Sequence, residues 1–170
     1  GLARRLTTHQ EEETHPSFSP DGKTIAFTAS YEGPRELYTM PTNGGVPTRW
    51  TFEREFAIAN DWTPDGKLAF STYAYSKRPD EQLVILNPET KQKTRVPLYQ
   101  ASEATMDDTG NTIYFVRPAY HGNVTKRYQG GTARQIWKFT MGGEEAVKLT
   151  TDHPGESHHP MYFQGRVYFI

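Results

Sequence analysis

Three imidazoles and two carboxylates crowd into the eight residues Asp152-His153-Pro154-Gly155-Glu156-Ser157-His158-His159. Imidazole and carboxylate are ligand types that hold zinc or nickel. His153, Glu156, His158 and His159 are therefore the chain's candidate metal set. A second loop tempers that reading. Thr8-His9-Gln10-Glu11-Glu12-Glu13-Thr14-His15 occupies the same place in an earlier repeat. A loop that returns with the repeat is more simply explained as repeat structure. His15 and His159 each stand just before a proline, where an imidazole can bond loop backbone. On this reading the loops are structural and no metal or cofactor is expected.

A basic insertion is the other place where chemistry could reside. Phe27 to Leu37 spans 10 residues, Phe70 to Leu83 spans 13, and Phe115 to Ile136 spans 21. The extra length carries Arg117, His121, Lys126, Arg127, Tyr128 and Arg134. Long loops on a rigid scaffold often carry function. Arg117, Lys126, Arg127, Tyr128 and Arg134 could receive a peptide C-terminal carboxylate or an acidic neighbouring subunit through charge-assisted hydrogen bonds. The competing reading is a solvated loop, whose exposed ion pairs contribute only about 0–1 kcal/mol each. Gly130-Gly131 is no phosphate loop, because the following Lys-Ser/Thr and helix are missing.

Nucleophilic catalysis finds no support. There is no cysteine, and no Gly-x-Ser-x-Gly elbow. Asp107-Asp108 looks like a paired carboxylate, but it falls where the repeat places a hairpin turn. No catalytic residue is assigned.

The elements that would position these groups are strands. Tyr 10, Phe 9 and Trp 3 are many aromatics for 170 residues, and Gly 14 with Pro 12 suits many turns. Aromatic residues pack well on pleated faces. The stretch His15-Pro16-Ser17-Phe18-Ser19-Pro20-Asp21-Gly22-Lys23-Thr24-Ile25-Ala26-Phe27 reads as strand, tight turn, strand. Pro20 and Asp21 shape the turn, and Gly22 supplies a positive φ. Ile25 and Phe27 alternate with Thr24, Ala26 and Thr28, as in a half-buried strand. A third strand over 36–40 and a fourth over 46–51 follow, the fourth after Asn43-Gly44-Gly45.

The unit repeats. Gly22, Gly66 and Gly110 stand 44 residues apart, as do Leu6-Thr7 and Trp50-Thr51. Phe18, Trp62, Met106 and Tyr162 hold equivalent places before their turns, and Phe18, Trp62 and Tyr162 are expected in the core. The last turn, Phe163-Gln164-Gly165, is shortened by an even number of residues, which preserves each side chain's face. A four-stranded repeat of about 40–45 residues is a β-propeller blade. The fold expected is all-β, a propeller segment of four-stranded antiparallel blades within a six- or seven-bladed ring. The boundaries are 1–7, last strand of a preceding blade; 8–51, 52–97 and 98–150, full blades, the third with the insertion 117–134; and 151–170, the start of another. Three full and two partial blades cannot close, and unpaired edges invite aggregation. A longer parent is expected.

The Ser-Pro-Asp-Gly-Lys hairpin resembles the WD40-like repeats of TolB and tricorn propellers. Tyr128-Gln129-Gly130-Gly131-Thr132-Ala133-Arg134-Gln135-Ile136-Trp137 and Gly165-Arg166-Val167-Tyr168-Phe169-Ile170 resemble the N-terminal propeller of tricorn protease. The resemblance implies a large, self-associating serine peptidase whose catalytic serine, histidine and glutamate lie in C-terminal domains. It also implies a propeller that gates or routes peptides. The partners implied are the rest of the polypeptide, peptide substrates and further copies of the parent. Two alternatives stand beside it: a TolB-like protein-binding module without hydrolase activity, and the gating propeller of a prolyl-oligopeptidase-type enzyme. Net charge −1 argues against nucleic acid. No apolar run reaches membrane-span length. The resemblance favours a periplasmic location, with the cytoplasm as alternative.

Overall fold

The repeated hairpin is held by its own side chains. In a computed structural model, which describes residues 2–77, 80–117, 133–153 and 155–170, strand β1 (Glu13–Phe18) turns into β2 (Thr24–Ala29). Ser19 N donates to Thr24 O at 2.8 Å, and Gly22 N donates to Ser19 O at 2.8 Å. The Asp21 carboxylate accepts from Ser19 Oγ at 2.7 Å and Lys23 N at 3.0 Å. Gly22 takes φ 68° with open space where a Cβ would stand. The glycine is there for its backbone, and another residue would cost about 1–2 kcal/mol. Thr63, Asp65 and Gly66 repeat the device. In the third copy Asp107 itself accepts from Thr109 Oγ1 at 2.9 Å and Thr112 N at 3.2 Å. Burial opposes its charge, but these hydrogen bonds outweigh that and hold its carboxyl below the usual range. The Asp107-Asp108 pair is turn chemistry.

The meander continues with β3 (Glu36–Pro41) and β4 (Thr48–Arg49). A second sheet holds β5 (Ala57–Trp62), β6 (Leu68–Thr72), β7 (Gln82–Leu86) and β8 (Lys93–Arg95). The third holds β9 (Ser102–Met106), β10 (Thr112–Arg117), β11 (Gln135–Thr140) and β12 (Val147–Lys148). Strands β13 (Met161–Phe163) and β14 (Arg166–Tyr168) pair through Gln164-Gly165, both at positive φ. Each four-stranded sheet is antiparallel in chain order. Among the described residues there is no helix.

Two expected strands differ. The fourth strand, expected over 46–51, shrinks to two residues, the same length as its counterpart β12. Residues 2–7 form no strand. Arg4 instead donates to Asn43 O at 2.6 Å, and Leu6 covers the cluster of Ile25, Phe27, Tyr38 and Met40.

The sheets stack face to face, so the core is a series of layers between them. Ala26 and Leu37 of the first sheet meet Ala57, Ala59, Leu68 and Phe70 of the second. Ala69 and Leu83 of the second meet Ala104, Met106, Ile113 and Phe115 of the third. Strand β2 is thus buried along both faces, not half-buried as its alternation implied. A neighbour covers the side that alternation assigns to water.

The same stacking corrects one core expectation. Trp62 packs against the first sheet's layer and donates Nε1–H to Ser17 O at 3.1 Å. Met106 packs against the second sheet, and Tyr162 stacks on Tyr114 of the third at 5.8 Å. Each leans on the sheet before it in sequence. Phe18 has no such sheet among the described residues and is 66% exposed.

Candidate functional site

The inner strands β1, β5, β9 and β13 stand beside one another. They are joined by hydrogen bonds between repeat-equivalent residues. Asp61 accepts from Ser17 Oγ at 2.8 Å and from Thr105 Oγ1 at 2.6 Å, each 44 residues away. Asn60 Oδ1 accepts from Ala104 N at 2.8 Å, again 44 residues off. A carboxylate that takes a hydroxyl from each neighbour fixes the angle between sheets. The cleft these strands line has a volume of about 560 Å³ and is open on one side.

Bulges aim side chains into this cleft. The β1–β2 register slips between Thr14 and Ser17, and β9–β10 slips opposite Ser102–Thr105. His15, Glu103 and His159 take φ of 54°, 49° and 52°. All three occupy the same position of the repeat. Left-handed backbone at a non-glycine costs about 1–3 kcal/mol and is sustained only when surrounding contacts demand it. All three residues line the cleft.

Glu103 is the hub. Its carboxylate accepts from His159 N at 2.7 Å and lies 3.2 Å from His159 Nδ1. Arg134 reaches it at 3.3 Å and reaches Glu156 at 3.1 Å. The His158 and His159 rings lie 4.7 Å apart, edge to face. Burial lowers the His158 pKa, and the Arg134 charge lowers it further. His15 is also held low, by burial and then by the charge of His159. Both rings therefore favour the neutral form.

Of the metal set read from sequence, His158 and His159 come together and the other two do not. The His153 ring packs edge to face with Phe169, centroids 5.8 Å apart. Glu156 is engaged with Arg134. The group that completes the cluster is Glu103, one ligand atom from each of Glu103, His158 and His159 lying within 4.8 Å of the others. Sequence reading passed over Glu103. The signal was present, since it stands at the repeat position of His15 and His159.

The basic insertion divides. Lys126, Arg127 and Tyr128 lie outside the described residues. Arg117 donates to the carbonyls of Tyr99 at 3.0 Å and Gln100 at 3.3 Å. Its guanidinium lies over the Phe115 and Trp137 rings, at 5.5 and 5.2 Å, and burial pulls its pKa down. Arg134 faces the cleft's acidic groups.

Two further groups were not anticipated. Glu81 lines the cleft, and burial pushes its carboxyl up to about 7, aided by the nearby Glu103 charge and opposed by a hydrogen bond from Tyr73. Ser157 Oγ lies 3.3 Å from His153 Nδ1. Ser157 is fully buried, so its hydroxyl has no access to a substrate.

The family model for the tricorn protease N-terminal beta propeller domain matches residues 1–170. The chain belongs to this family. Tricorn protease homolog 1 of Streptomyces coelicolor is 27% identical over 173 residues, covering all of this chain and 16% of that protein. The crystal structure of the tricorn protease superposes with a TM-score of 0.78 at 23% identity, over 98% of this chain and 17% of that one. A putative TolB from Agrobacterium tumefaciens gives a TM-score of 0.65 at 21% identity, over 84% of this chain and 47% of that one. These structural likenesses establish the propeller fold. The chain of this tricorn-family propeller spans only a small part of the Streptomyces relative's length. Among the described residues no helix is long and apolar enough to cross a membrane.

Proposed function

We propose that this chain is a non-catalytic propeller segment of a tricorn-like serine peptidase, and that it guides peptides toward chemistry performed elsewhere in the polypeptide. The observation that carries this reading is the cleft on the inner strands. It is lined by hydrogen-bonding side chains fixed between sheets, Ser17, Asp61 and Thr105 among them. Such a wall offers an extended peptide polar contacts of one kind along its length, without a pocket for any single residue. The family membership supports the larger frame: further blades that close the ring at six or seven, downstream protease domains, and assembly of several copies. A periplasmic location goes with that frame, and the cytoplasm is the alternative; fractionation of the native host decides between them.

The test is peptide hydrolysis by the full-length protein that carries this chain. Met161 is 55% exposed and lines the cleft. Met161→Trp narrows the cleft without disturbing a buried contact. Hydrolysis of long peptides is expected to slow while that of dipeptide-sized reporters is unchanged. Equal rates for long peptides in both proteins would remove the guiding role. A full-length protein with no peptidase activity would favour the TolB-like binding module.

A further inference from the structure

The Glu103, His158 and His159 cluster has more donor capacity than the protein uses. His158 Nδ1 is buried and has no hydrogen-bond partner. A buried ring nitrogen left without a partner is costly and calls for an explanation. The two rings and the carboxylate each place one ligand atom within 4.8 Å of the others. In a tetrahedral zinc site, with bonds of about 2.0–2.2 Å, ligand atoms stand about 3.3 Å apart. Rotation of side chains alone can close that difference, because His159 is half-exposed and already lies 3.2 Å from Glu103.

The charges also permit it. Glu103 is engaged with Arg134, which would repel a cation if left alone. Arg134 also holds Glu156 at 3.1 Å. When Glu103 turns to a cation, Arg134 therefore keeps a carboxylate partner and its charge stays compensated. Two imidazoles and one carboxylate make a ligand set of the type that binds zinc with a further position open to water or a substrate group. The positive φ at Glu103 and His159 holds both side chains toward the cleft.

We propose that Glu103, His158 and His159 form a binding site for one divalent transition-metal cation at the inner mouth of the cleft, held between the third sheet and the β13–β14 hairpin. His153 and Glu156, the other members of the histidine-rich loop, are not ligands. The cation ties the hairpin to the third sheet beside the His159–Glu103 bonds, the Tyr162–Tyr114 stack and the Tyr162 hydroxyl bond to Asp108.

The experiment is calorimetric titration of the full-length protein with Zn2+ after EDTA treatment, comparing wild type, His159→Gln, Glu103→Gln and His153→Gln. His159→Gln is expected to bind one Zn2+ fewer than wild type. Glu103→Gln is expected to weaken that site about tenfold or more. His153→Gln is expected to match wild type. Co2+ substitution supplies a second readout, with visible d–d absorption bands in wild type and His153→Gln and their loss in His159→Gln. Far-UV circular dichroism shows that His159→Gln is folded; should Glu103→Gln unfold, the His159→Gln result decides. Equal Zn2+ stoichiometry in wild type and His159→Gln overturns the site, as does its equal loss in His153→Gln.

Discussion

Removing the Glu36 carboxylate is expected to unsettle the first sheet more than any surface change of similar size. Glu36 is fully buried. It accepts a short hydrogen bond from Thr51 Oγ1 and a bond from Arg49 Nη2 at 3.0 Å. Thr51 Oγ1 in turn accepts from Leu37 N at 2.8 Å. Arg49 also bonds Thr51 O at 2.8 Å and Glu32 at 2.9 Å, and it lies over the Phe52 ring at 4.4 Å. The third sheet builds the same link from neutral parts. There Thr150 Oγ1 donates to Gln135 Oε1 at 2.7 Å and accepts from Ile136 N at 3.1 Å. Glu36→Ala strands the Thr51 hydroxyl and removes one partner of a buried ion pair, at a cost of about 3–5 kcal/mol. At about 2–4 °C per kcal/mol for a chain of this size, the melting transition falls by about 6–20 °C. Glu36→Gln keeps an acceptor for Thr51, as Gln135 does for Thr150, and loses only the charge-assisted bond from Arg49, about 1.5–3 kcal/mol. Differential scanning calorimetry with a double-mutant cycle through Arg49→Met separates the terms. The coupling between the two positions is expected near 1–3 kcal/mol. An alanine variant that melts with wild type, or a glutamine variant as damaged as the alanine, refutes the argument.

Glu81 should make stability fall with rising pH. Its folded pKa of about 7 lies above the ordinary 4.5, so the folded state holds the proton longer than the unfolded one. The stabilisation is fully present below about pH 4.5, declines between about 4.5 and 7, and is gone above, an upper bound of about 3 kcal/mol across the window. Glu81→Gln should flatten that slope in urea titrations at several pH values, and an unchanged slope would show that another group sets it. Trp62→Ala should cost about 3 kcal/mol, through lost packing on the first sheet and the stranded Ser17 carbonyl. Phe18→Ala should cost as much in the full-length protein, where the proposed preceding blade covers it. A Phe18→Ala change within about 0.5 kcal/mol, the range of surface substitutions, would show that no such blade packs there.

What sequence made legible was what the chain settles locally. The Pro-Asp-Gly turn closes through Ser19, Asp21 and Gly22 themselves, so its return at 44-residue spacing announces the four-stranded unit without knowledge of neighbours. What it hid depends on neighbours. The alternation in β2 implied one wet face, yet Ala26 meets the second sheet while Ile25 and Phe27 meet Leu6 and Tyr31. Phe18 was expected in the core because Trp62 and Tyr162 share its position, but that position leans on the preceding sheet. Residues 2–7 read as a strand because Leu6-Thr7 stands one repeat before Trp50-Thr51, and they form none. The site was legible in the same uneven way. His158 and His159 were visible as types. Their partner Glu103 lies 56 residues before His159 and is joined to it only because β9 and β13 are neighbours.

The repeat therefore carries two kinds of information at one set of positions. Where equivalent residues keep a common role, they build the scaffold. Ser17, Asp61 and Thr105 are three different residues, yet they form one chain of hydrogen bonds between sheets. Two positions earlier, the residues keep a common backbone conformation. His15, Glu103 and His159 share a left-handed φ that none of them favours, carried by two imidazoles and one carboxylate. A glycine would relieve the strain at each, yet each position carries a polar side chain that lines the cleft. The shared left-handed backbone at these three residues brings their side chains to the cleft, beside the hydrogen bonds that join the sheets.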